Sequence, residues 1–114
     1  MDKQSALETL IRCVVRGQSQ GVFSIKDSSA MYDIILHLRG TKVNETFEEN
    51  ACFSSLVRAV ILSHSKGVYS LEESSVIDKT IQYLADEGLV VLDEPQPKKL
   101  ETIKEEEEEE VVEV

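Results

Sequence analysis

Gly67-Val68-Tyr69-Ser70-Leu71-Glu72-Glu73 has an earlier twin, Gly21-Val22-Phe23-Ser24-Ile25-Lys26-Asp27. Each stretch reads as the pivot of a helix-loop-helix unit. The glycine accepts φ > 0 just past a helix end, where a side chain would be strained. Three residues then alternate as a very short strand. The serine caps the next helix, and the acid three positions on closes a capping box. The two pivots lie 46 residues apart, and the surrounding sequence repeats at that spacing without a gap. Leu10/Leu56, Arg12/Arg58, Val14/Val60, Ser19/Ser65 and Leu38/Leu84 are identical, while Ile11/Val57, Val15/Ile61 and Phe23/Tyr69 keep their character. Two such units bury their apolar faces against each other.

Helical spacing of Leu7, Leu10, Ile11, Val14 and Val15 predicts a first helix from about Lys3 to Arg16, followed by a polar break from Gly17 to Gly21. A second helix follows Ser24 to about Leu38, with Ala30, Met31, Ile34, Ile35 and Leu38 inward. Residues 39–45 connect the units. The third helix begins near Thr46 to Asn50 and ends near Ser63, with Phe53, Leu56, Val57, Val60 and Ile61 as its stripe. The fourth runs from Leu71 to about Asp86, with Val76, Ile77, Thr80, Ile81 and Leu84 inward, and Gly88 stops it. Leu89-Val90-Val91-Leu92 fits either a strand or a packed extension.

The expected architecture is therefore all-α. A domain over residues 1–92 holds two tandem repeats, 5–39 and 51–86, joined by a two-stranded β bridge between Val22–Ser24 and Val68–Ser70. Residues 93–114 form an acidic tail. Its run Glu105–Glu110 is a block of like charge, which predicts disorder or transient helix.

The chain carries 22 acids against 12 basic residues, a net charge of −10. Much of that excess sits after Asp93, so the body is an ordinary domain with an acidic appendix. Phosphate neutralisation needs clustered Lys and Arg, which argues against direct nucleic-acid binding. Met1-Asp2-Lys3-Gln4 lacks the features of a signal peptide. No apolar run approaches the roughly 18 residues of a membrane span, so no membrane partner is expected. Cys13 and Cys52 stand in no metal-like spacing and read as small buried side chains, free thiols in an intracellular, most simply cytoplasmic, compartment.

The pivots resemble half of an EF-hand loop: a glycine, an apolar residue two positions on, and an acid four beyond it. The resemblance covers about residues 5–86 and implies paired loops meeting through short antiparallel strands. It does not imply calcium. Leu62, His64 and Lys66, and in the first unit Arg16, Gln18 and Gln20, occupy the places where oxygen ligands are needed. Glu73 and Asp27 match the last ligand position, and capping boxes already account for them.

No catalytic, cofactor-binding or metal-ligating residue is expected. His37 and His64 read as helix-end residues without metal-ligand neighbours. Neither cysteine pairs with a histidine in a catalytic motif, and the five glycines are scattered singly rather than in a phosphate loop. Ser24, Ser28, Ser29, Ser70, Ser74 and Ser75 invite phosphorylation in an acidic setting. Capping and close helix contact explain why they recur in both units. The expected function is a non-catalytic protein–protein interaction or regulatory module. A partner helix would lie in a groove between units, and a homodimer is one variant. The alternative is an acidic mimic or chaperone whose tail binds a basic, nucleic-acid-binding partner.

Overall fold

The computed structural model describes residues 1–90. They form four helices: α1 (Lys3–Ser19), α2 (Ile25–Leu38), α3 (Glu49–Ser65) and α4 (Leu71–Asp86). The tail, residues 93–114, lies outside the described residues.

All four helices stop by one device. Gly21, Gly40, Gly67 and Gly88 have φ of 77°, 75°, 78° and 72°. The residue after each glycine donates its N–H to a carbonyl five positions back: Val22 to Gly17, Thr41 to Leu36, Val68 to Ser63 and Leu89 to Leu84. This is the Schellman ending, which satisfies carbonyls that a helix end leaves without partners.

The same device removes the expected β bridge. No strand occurs among the described residues. The N–H groups of Val22 and Val68 are consumed by the helix ends, and the Ser70 N–H donates to Glu73 Oε1 at 2.9 Å. Phe23 and Tyr69 turn onto the core instead of pairing across loops.

Two of the helix starts are closed boxes. Ser70 and Glu73 cap α4 reciprocally, and Asp2 with Ser5 does the same for α1. At α2 only half of the box forms. Ser24 Oγ accepts the Asp27 N–H at 3.0 Å, and no reciprocal bond from the shorter Asp27 side chain is present. Helix α3 has no side-chain cap at Glu48. Its approach is organised from the connection, where His37 Nδ1 accepts the Asn44 N–H at 3.0 Å and the His37 ring meets Phe47 edge-on at 5.4 Å.

Helices α1 and α3 lie side by side, parallel and in register. Lys3 Nζ reaches Glu49 Oε2 at 2.7 Å near their N-termini. Near their C-termini Gly17 meets Ser63, so closely that a Cβ on Gly17 would overlap Ser63 Oγ. Both pairs are separated by the repeat interval. Gly17 therefore belongs inside α1, not to the expected polar break, because its missing side chain is what lets α3 approach. Ser63 Oγ is satisfied by donating to the Ala59 carbonyl at 3.0 Å, so its burial leaves no orphan hydroxyl. Helix α4 packs on α1 and α2 packs on α3, closing a bundle flattened along its α1–α3 diagonal. Leu10, Phe53, Leu56, Val60 and Leu84 are fully buried at its centre. Of the run after Gly88, Val90 is buried and Leu89 packs on the core, so this part is an extension rather than a strand. Val91 and Leu92 lie outside the described residues.

Gly17→Ala should destabilise the fold by about 1–2 kcal/mol, because overpacking outweighs the gain of up to ~1 kcal/mol in helix propensity. Adding Ser63→Ala should recover part of that loss in a chemical-denaturation double-mutant cycle. Purely additive effects would remove the contact from the account.

Candidate functional site

The apolar stripes that shape the bundle are wider than the neighbours that cover them. Leu7, Leu10, Ile11 and Val14 are buried, whereas Val15 on the same helix is 56 % exposed. Its repeat equivalent Ile61 is 51 % exposed, and Val76 on α4 is 49 % exposed. Ala30 is exposed as well. These four were expected inward. Each residue advances about 100° around a helix, so Val15 points one step past the buried Val14 and leaves the α3 contact.

Val15 and Val76 flank a groove of about 630 Å³ on the outer face of α1, between α4 and the C-terminal end of α2. Its floor is Ile11 and Ile77, both buried. Its rim is charged. At one end the Arg39 guanidinium grips Glu8 with Nε at 3.2 Å and the terminal nitrogen at 2.8 Å. At the other end Arg16 pairs with Glu73 at 2.7 Å. Arg12 sits between them. It donates to Thr9 Oγ1 at 3.3 Å and has no acidic partner among the described residues. The chain has four arginines, and three of them line this groove.

Glu73 has two duties: one carboxylate oxygen caps α4 through the Ser70 N–H and the other meets Arg16. The Ser70 N–H first, and Arg16 second, hold its carboxyl below the ordinary value. Arg39 does the same for Glu8. Cys13 lines the groove, and burial pushes its thiol up, away from the reactive thiolate. The Tyr69 hydroxyl donates to the Cys13 carbonyl at 2.7 Å, tying the start of α4 to α1. No histidine lines the groove. His37 is spent on the connection and His64 lies exposed near the end of α3. Cys52 is buried elsewhere, with its thiol also pushed up by burial.

By the 46-residue sequence spacing, the seam between α2 and α3 corresponds to this groove. There the connection crosses the opening, and Thr46 and Phe47 line a cavity of about 470 Å³ with Ala30 and Ile34. Of residues 39–48, which join α2 to α3, only Arg39 lines the α1–α4 groove.

Of the positions matched to a calcium loop, Leu62 and His64 are inside α3, and Arg16 and Gln18 are inside α1. Among the described residues no three His, Cys, Asp or Glu side chains cluster as metal ligands, and no helix is long and apolar enough to cross a membrane. Compared with protein-family models, curated proteins and solved structures, the chain matches none. The groove was not legible as a site in advance. The available signal was an apolar arc with one residue too many, Val15 and Ile61, at the same place in both units.

Both lowered carboxyls have one consequence for stability. A carboxyl whose folded pKa lies below its ordinary 4.5 stabilises the fold above that value, and the contribution is lost as pH falls through the folded pKa. Melting temperature should fall on acidification below about 4.5. Glu73→Gln should melt lower at neutral pH and lose less of its stability to acid. An identical acid response in that variant would show that Glu73 contributes nothing.

Proposed function

We propose that the chain is a non-catalytic protein–protein interaction module, with the outer face of α1 as its docking groove. The observation that carries this reading is the pairing of exposed Val15 and Val76 over an apolar floor, ringed by three arginines. An apolar groove between helices takes the apolar stripe of an amphipathic partner helix. The arginines favour a partner with acids beside that stripe. Thiol chemistry has no support in the groove, since burial pushes the Cys13 thiol up and no histidine lines it among the described residues. Two helix-loop-helix halves joined along α1 and α3 supply the scaffold, with one seam crossed by the connection and the other left for a partner.

The test is the double variant Val15→Glu/Val76→Glu in the full chain. Both residues are half exposed, so the variant should keep its helical circular dichroism. Chemical cross-linking in cells expressing the wild-type chain should trap a partner that the variant fails to trap. Capture should survive high salt, which screens exposed charges but not apolar contact. A partner set unchanged by the double variant would overturn the assignment of this groove, and a trapped species of twice the chain mass would make the partner a second copy.

A further inference from the structure

We infer that residues 105–114 of this same chain, Glu-Glu-Glu-Glu-Glu-Glu-Val-Val-Glu-Val, occupy the α1–α4 groove in cis and compete with the partner for it. The inference rests on the docking reading above, because both occupants use one groove.

Three observations on different levels carry it. The first is charge. Arg12, Arg16 and Arg39 line the groove, and Arg12 has no acidic partner among the described residues. Residues 1–92 hold 12 acids and 9 basic residues, so the body carries only −3 of the net −10, and a run of six glutamates is attracted where its arginines gather. Val111, Val112 and Val114 add the apolar side chains that Val15, Val76 and the isoleucine floor can cover.

The second is the repeat. On the α2–α3 seam, the chain leaving α2 folds back over the opening and lays Phe47 into it. The chain leaving α4 stands in the equivalent relation to the α1–α4 seam. Gly88 ends α4 as Gly40 ends α2, Val90 is buried against the bundle, and Tyr83 near the end of α4 lies within reach of the Asp2 and Lys3 charges, so the chain is delivered near the start of α1. One seam is crossed by the segment that follows its helix, and the inference assigns the same act to the other.

The third is length. Residues 91–104 separate the last described residue from the glutamates. Fourteen residues span at most ~50 Å, about twice the ~26 Å length of α1, so the run reaches any part of the groove. Six residues extend over at most ~20 Å, comparable with the ~17 Å along α1 from Glu8 to Ser19. Tethering places the run at millimolar effective concentration, so weak individual contacts suffice. An external partner then meets a groove that is free only part of the time, and its apparent affinity falls by that fraction.

The experiment compares the isotope-labelled full chain with a variant in which Glu105–Glu110 are all glutamine, by amide and methyl NMR. The expected result is a shift of the Arg12, Cys13, Val15, Arg16 and Val76 signals, with Ala51 and Ser55 on the opposite seam unchanged. Raising the salt on the wild-type chain should move the same signals in the same direction. Arg12→Glu should in turn move the Val111, Val112 and Val114 methyls. If the groove is closed about nine-tenths of the time, the glutamine variant should bind the partner about tenfold more tightly. Groove signals identical in the two chains would overturn the inference. So would shifts that grow with protein concentration, since they would place the tail in another copy. Neither result touches the docking reading, which fails only if Val15→Glu/Val76→Glu leaves the partner in place.

Discussion

The close parallel contact of α1 and α3 is the constraint on which the rest depends. At its tight end Gly17 presents no side chain, and Ser63 fills the space with a hydroxyl that bonds back to its own helix. At its loose end Lys3 and Glu49 pair in solvent, which is worth little energetically but marks the register. Because the two helices lie in register, α4 falls on α1 and α2 falls on α3. The halves therefore interlock, with α1 packed on α3 and α4, and α2 packed on α3.

That arrangement also decides which surfaces remain. A helix at the diagonal of a flattened bundle has one face on its partner, two flanks on its neighbours and one face outward. On α1 the outward face keeps Val15, and on α3 it keeps Ile61. The seam beside α3 is crossed by the connection with Phe47, while the seam beside α1 has arginines along its rim. That difference between the two seams leaves the one beside α1 as the candidate docking groove. The carboxylates that hold the rim also hold the fold: Glu73 caps α4 and orients Arg16 with the same side chain.

Much of the helix layout was legible in the sequence because it is written locally. Glycines at the stops and Ser70 with Glu73 at the start of α4 set boundaries that periodicity alone leaves loose. The bridge between Val22–Ser24 and Val68–Ser70 was misread because alternation over three residues looks the same in a strand and in a Schellman ending. Only the destination of the Val22 and Val68 N–H groups separates the two. Gly17 was read as a breaker because its reason to be helical lies across the bundle, 46 residues away. Val15, Ile61 and Val76 were counted into the core because an apolar arc shows a side, not how much of that side a neighbour covers. The site was hidden for the same reason: Arg39 reaches the α1 groove through tertiary packing that no spacing in the chain announces.

The most direct test of this arrangement is a nuclear Overhauser experiment on the full chain, read between the Gly17 Hα protons and the Ser63 side chain. The parallel, in-register pair predicts strong cross-peaks there, together with contacts between the α1 and α3 N-termini around Lys3 and Glu49. Cross-peaks joining Gly17 to the N-terminal turn of α3 instead would mean that the helices run antiparallel. The interlocked repeats, and the groove that follows from them, would then be wrong.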